Sequence, residues 1–148
     1  MDELQTLLAE SACRDVVLAA ADAVDRNDPD GLAALFAPDG VLVRPDGTRL
    51  VGRDAVRAAY AARPADRLTQ HLVCNHRLAV QADGSVRSVA RVLLVTGRWS
   101  DAPTPRGRPL DAPPQVGVIE DRLERTPEGW RIAERQARFE LHFGPPAG

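Results

Sequence analysis

The chain has 148 residues, 44% of them hydrophobic and 27% charged, with a formal net charge of −2. These values describe one ordinary folded domain and exclude disorder or a collagen-like repeat. At this length about two thirds of the unfolded surface is buried on folding, enough for a core without disulfide staples or a structural metal.

Residues 7–27 place Leu8, Ala12, Val16, Ala19 and Ala23 at three- and four-residue steps, the period of a helix with one buried face. Asp28 can cap a second helix and Pro29 open it, so a short helix is expected to run to about Phe36. Pro38-Asp39-Gly40 reads as a turn, Val41 to Arg44 as a strand, and Pro45-Asp46-Gly47 as the turn of a small hairpin that returns through Thr48 to Val51. Ala55 to Ala62 suits a third helix, ended by Pro64. Four long β-type segments follow, over 69–80, 86–99, 116–125 and 130–141. Asp83-Gly84 and Pro127-Glu128-Gly129 are hairpin turns, which predicts an antiparallel meander. Ser100 to Gln115 holds five prolines and is expected to be a loop, either a lid over a pocket or a plain solvated segment. Helices first and a curved sheet afterwards give an α+β domain whose sheet wraps the helices.

All 19 basic residues are arginine, which removes Schiff-base and lysine general-base chemistry. Arginine and acidic residues are interspersed and aromatics are few, so nucleic acid is not an expected partner. No apolar run approaches the ~18 residues of a membrane helix, and Met1-Asp2-Glu3 lacks the basic start of a signal peptide. A cytoplasmic protein without membrane contact is the expectation. Cys13 and Cys74 are too scattered for a disulfide framework and read as small buried hydrophobes.

His71, His76 and His142 give no metal-ligand spacing. On a regular strand His71 and His76 point to opposite faces, and His71 shares its face with Val73 and Asn75. No metal is expected, and no nucleotide-binding glycine loop or nucleophile elbow occurs. Asp22 and Asp25 fall in the last turn of the first helix, where the macrodipole disfavours a carboxylate by roughly 0.3 to 1 kcal/mol. Asp22 reads as solvated. Asp25 is either the same, offset by Arg26, or compensated by something in the fold.

Several stretches in order resemble one family: Ala23-Val24-Asp25-Arg26-Asn27-Asp28, Leu35-Phe36-Ala37-Pro38-Asp39, Gly52-Arg53-Asp54-Ala55, Thr69-Gln70-His71-Leu72-Val73-Cys74-Asn75 and Glu128-Gly129-Trp130-Arg131-Ile132. Over about residues 8 to 141 the chain is similar to the SnoaL-like branch of the NTF2-like superfamily. The resemblance implies a cone, with a curved antiparallel sheet around three N-terminal helices and an internal apolar pocket, in a single domain over 1–148. Asp25 and His71 match the aspartate and histidine of two enzymes of that superfamily, scytalone dehydratase and hexachlorocyclohexane dehydrochlorinase. By resemblance, His71 is a general base and Asp25 orients it and stabilises its protonated form. An imidazole suits that work because it titrates near physiological pH.

The supporting groups of those enzymes are absent. Val24 and Arg44 stand where the dehydratase has tyrosines, Thr96 and Ile119 where it has a second histidine and an asparagine, and Ala20 where the dehydrochlorinase has lysine. The only tyrosine, Tyr60, falls on a helix that the resemblance does not place in the pocket. Arg44, Asn75 and Thr96 are therefore the expected hydrogen-bond donors to a substrate. Val24, Ile119, Phe36 and Trp99 are expected pocket wall, and Phe36, Trp99, Phe139 and Trp130 are alternatively plain core. The resemblance implies a cofactor-free lyase or isomerase of the dehydratase or cyclase kind, acting on a hydrophobic oxygenated small molecule. A non-catalytic binding or assembly domain is the other reading, and the small subunit of a ring-hydroxylating oxygenase a third. An uncovered outer sheet face implies a homodimer or homotrimer.

Overall fold

The computed structural model describes residues 1–145. Helix α1 spans Glu3–Asp25, α2 Pro29–Ala34 and α3 Arg53–Ala61; the strands are β1 Phe36–Val43, β2 Arg49–Val51, β3 Arg67–Val80, β4 Val86–Arg98, β5 Gln115–Thr126 and β6 Gly129–His142. Among the described residues no helix is long and apolar enough to cross a membrane.

Asp2 caps α1 reciprocally with Gln5, two donors that the helix itself leaves orphaned. The buried face of α1 is Ala9, Cys13, Val17, Ala20 and Ala23, mostly small side chains that let the helix lie close to the sheet. Asp28 accepts from Gly31 N at 2.9 Å and Pro29 opens α2, as the sequence predicts.

The six strands form one open sheet in the order β2-β1-β6-β5-β4-β3. The meander β3 to β6 is antiparallel throughout, and β1 and β2 form the small hairpin. One pairing departs from the all-antiparallel expectation: β1 lies parallel to β6. The connection through α3 explains it, since that helix carries the chain from one edge strand, β2, to the other, β3. The Pro38-Asp39-Gly40 turn is likewise corrected to an irregular stretch inside β1, where the β6 register shifts. Only glycine fits at position 40, because a Cβ there would stand 2.8 Å from the Ile132 carbonyl oxygen.

The register stacks the concave face in tiers. Phe36, Ile132, Leu123 and Val86 pair across four strands and are fully buried. Beside them Leu42, Arg135, Asp121 and Ser88 form the next tier, also buried. Ala137, Ile119 and Ala90 follow, then Phe139, Gly117, Val92 and Val73, and at the open end Leu94 and His71. The interior is thus apolar at its base and its upper wall, but a charged pair occupies its middle, which the expected apolar pocket did not include.

Two side chains depart from their predicted places because β3 is not regular. Its pairing with β4 shifts between Cys74 and Arg77, and Asn75 adopts φ 50°, so one extra residue is accommodated in a β-bulge. His76 therefore returns to the concave face, where its Nε2 is 2.8 Å from Ser88 Oγ, and Asn75 stands exposed. Cys74 is also exposed and only Cys13 is buried. Burial pushes the Cys13 thiol up to about 12, with Glu10 adding to the rise, so it is no nucleophile.

The proline-rich segment between β4 and β5 folds back over the convex face. Pro109 O would lie 3.1 Å from a Cβ on Gly97, Asp111 N donates to Thr96 O, and the Arg108 guanidinium stacks 5.0 Å from the Trp99 ring centre. Its reading as a lid is corrected accordingly: it packs outside the cone, against Leu68, Gln70 and Val95.

Candidate active site

The compensation that Asp25 needs comes from β3. Its Oδ1 accepts from His71 Nδ1 at 2.6 Å and from Thr69 Oγ1 at 3.0 Å, and its Oδ2 accepts from the His71 backbone N–H at 2.9 Å. Three donors on one carboxylate offset its unfavourable place at the negative end of the helix dipole. The chain locally fixes Asp25: Arg26 N–H reaches back to Asp22 O, Asn27 takes the left-handed conformation at φ 55°, and Asp28 N–H donates to Ala23 O. Asparagine tolerates that conformation better than most side chains. Arg26 pairs with Asp22 at 2.8 Å and leaves Asp25 to the strand.

The contact also fixes the imidazole. A carboxylate only accepts, so Nδ1 of His71 carries the proton, and the neutral ring presents an unprotonated Nε2 on its other side. Both side chains remain 21% exposed, enough to meet a ligand. This is the geometry of an oriented general base, with the carboxylate placed to stabilise the imidazolium that forms when Nε2 takes a proton.

The other candidates divide by position. Ile119 is half-buried on the concave face, and Val24, next to Asp25 in the chain, is half-buried against the core. Arg44 follows β1 half-buried, with Asp46 Oδ2 3.9 Å away. Thr96 pairs in register with Thr69, but its hydroxyl donates to Asp111 of the proline-rich segment. Phe36 is fully buried at the base of the cone and Trp130 is core. Phe139, in the tier of Val73, is 43% exposed. Two expected contacts are displaced: Asn75 by the bulge, and Trp99, whose strand phase puts it with Val95 and Gly97 on the convex face, 47% exposed.

Sequence reasoning missed four groups. Thr69 is the second donor to Asp25. Asp121 and Arg135 form a bidentate pair, both contacts 2.7 Å, with side chains 0% and 7% exposed. Burial works against the Arg135 charge, and Asp121's charge and hydrogen bonds outweigh it, so Arg135 titrates above its usual range. The signal was available: each residue falls in the apolar phase of its strand, and the Thr126 to Gly129 hairpin brings the two opposite each other. The fourth is Tyr60, which packs against the core from α3 and carries Arg63 at 5.6 Å from its ring centre. Among the described residues no group of three or more ligating side chains could hold a metal.

Among curated proteins none matches the chain. Solved structures do. A candidate scytalone dehydratase from Novosphingobium aromaticivorans superposes with a TM-score of 0.77 at 19% identity, over 96% of this chain and 91% of that one. A candidate dehydratase of the NTF2-like family from Streptomyces avermitilis gives 0.76 at 21%, over 90% and 98%. ActVI-ORFA from Streptomyces coelicolor gives 0.72 at 18%, over 88% and 96%. Identities this low establish a shared fold. The model of the SnoaL-like domain matches residues 5–136, nearly the whole cone just described, and the chain belongs to that family.

Proposed function

We propose that the protein is a cofactor-free lyase or isomerase of the dehydratase or cyclase kind, in which His71 Nε2 removes a proton next to a carbonyl or a leaving group. The observation that carries this reading is the 2.6 Å contact from His71 Nδ1 to Asp25, on a carboxylate already held by Thr69 and by the backbone of His71 itself. A histidine that merely filled space would not need its tautomer fixed by a carboxylate that two further donors hold in place. The family and the dehydratases among its structural relatives are consistent with this kind of reaction. His71 acts as base, Asp25 positions it and balances the imidazolium, and Ile119, Val24 and Val73 offer an apolar wall to a hydrophobic oxygenated substrate. A positioned base of this sort contributes roughly 10² to 10⁴ in rate.

The test is deuterium exchange. Hydrophobic ketones and β-hydroxy ketones are incubated with the protein in D₂O and loss of the α-proton is followed by NMR. His71→Ala should abolish whatever exchange the native chain catalyses while leaving its thermal unfolding unchanged. Exchange that survives the substitution refutes the general-base reading and leaves Asp25 and His71 as a fastening between α1 and β3.

A further inference from the structure

The clamp on Asp25 is built by one short stretch of β3. Thr69 and His71 are two residues apart on the strand, so both side chains project to the same face and both meet the end of α1. His71 engages both carboxylate oxygens, its ring at Oδ1 and its backbone N–H at Oδ2, and Thr69 adds its hydroxyl at Oδ1. A carboxylate only accepts and a hydroxyl has one hydrogen, so the Thr69 hydrogen lies on the same oxygen that holds the imidazole. Thr96, its partner across the strand pair, gives its own hydrogen to Asp111 and does not compete. Thr69 is only 2% exposed, which shields the bond from water.

The two donors on Oδ1 have opposite consequences for the ring. A carboxylate 2.6 Å from Nδ1 favours the imidazolium, and a ring already protonated has no lone pair at Nε2 with which to act as a base. The Thr69 hydroxyl sets the positive end of its dipole against the same oxygen in either state of the ring, and so weakens the pull of Asp25 on the imidazolium. The surrounding charges are separate from this bond. Arg63 beyond α3 feels Asp25 together with Arg67 of β3 and Arg44 after β1. Asp22 is paired with Arg26, Arg98 lies 3.9 Å from Asp111, and Leu94, opposite His71 on β4, carries no charge. Among the described residues Thr69 and His71 alone donate hydrogen bonds to Asp25.

We infer that Thr69 is a positioning residue of the Asp25–His71 pair whose hydroxyl holds down the proton affinity of the imidazole, so that Nε2 is available as a base at lower pH than the Asp25 contact alone would allow. The inference rests on the reading of His71 as a general base and adds what regulates it. A threonine that only kept the carboxylate in place would have the opposite effect when removed: a loosened carboxylate would draw away from the ring, and the ring would release its proton more readily. The sign of one shift therefore separates tuning from support.

The experiment is an NMR titration of the histidine rings in the full chain labelled with ¹⁵N-histidine, with the His71 signals assigned by their loss in His71→Gln. Thr69→Val should raise the midpoint of the His71 titration by about 0.5 to 1 pH unit, the equivalent of one net hydrogen bond. Thr69→Ser, which keeps the hydroxyl, should leave it near the native midpoint. His76, bonded to Ser88 on the same strand, should not move in either variant. Wherever exchange of an α-proton is found, the acid limb of its pH profile should move with the His71 midpoint. Thr69→Ala takes the place of Thr69→Val should that variant not fold. No shift, a downward shift, or an equal shift of His76 overturns the assignment. Failure of the general-base reading has a different signature: exchange that persists in His71→Ala, whatever the ring titrations do.

Discussion

His71 and His76 sit on the same strand and the same face, yet they are in different chemical states. His71 gives Nδ1–H to a carboxylate and holds Nε2 free at the open end. His76 lies deeper, with Nε2 against the Ser88 hydroxyl, and its buried Nδ1 has no hydrogen-bond partner among the described residues. Burial, reinforced by Arg14 and Arg135 and only partly opposed by Asp121, holds His76 below the ordinary value of 6.5. A histidine beside a carboxylate is prepared to accept a proton at its far nitrogen, whereas one beside a hydroxyl in an arginine field is prepared to stay neutral. The partner, rather than the strand, assigns the role.

The comparison breaks first at the base of the deep region. Asp121→Ala leaves Arg135 buried and unpaired, and chemical denaturation should show a loss of about 3 to 5 kcal/mol; a loss under about 1 kcal/mol would mean that water reaches the interior and solvates the guanidinium. At the open end the balance reverses. His71→Gln should lower proton exchange by about 10² to 10⁴ and move stability by less than about 1 kcal/mol, so activity and stability measured on one preparation separate the two regions. Thr69→Val sharpens the picture further. It removes one donor to Asp25 at a buried position, and a stability loss of about 1 to 3 kcal/mol is expected. Equal stability would show that Thr69 only neighbours the carboxylate.

The smallest effect is on pH dependence. Because the folded value of His76 is lowered, its contribution to stability is complete above about 6.5 and is lost as pH falls toward and through the lower folded value. His76→Gln, which can still reach Ser88, should flatten the decline in unfolding free energy between pH 7 and pH 5. Parallel curves for the two proteins would show that some other group controls the acid side.

Most of the framework is legible in the sequence because it rests on local periods. The helical steps of residues 7–27, the Asp28-Pro29 start and the alternation of the four long strands each depend on a few neighbours, and the observed elements follow them. Asp25 stands out for a local reason too, as a carboxylate at the wrong end of a helix dipole. What stayed hidden depends on register. A strand's phase can be counted only while the count is unbroken, and the extra residue at Asn75 exchanges the faces of everything after it in β3. The parallel partnership of β1 and β6 is set by where α3 returns the chain. Trp99 is hydrophobic enough for a core, but its phase and the prolines beyond it put it outside.

The bulge has a genetic meaning as well. Removing the single codon for Asn75 would take out the extra residue and give β3 an unbroken alternation, with Val73, His76, Leu78 and Val80 still on the concave face and Cys74, Arg77 and Ala79 still outside. One residue lost at the bulge changes no face, whereas one lost from an unbroken strand exchanges the faces of all that follow, so this short stretch is where β3 can shorten without disturbing the interior.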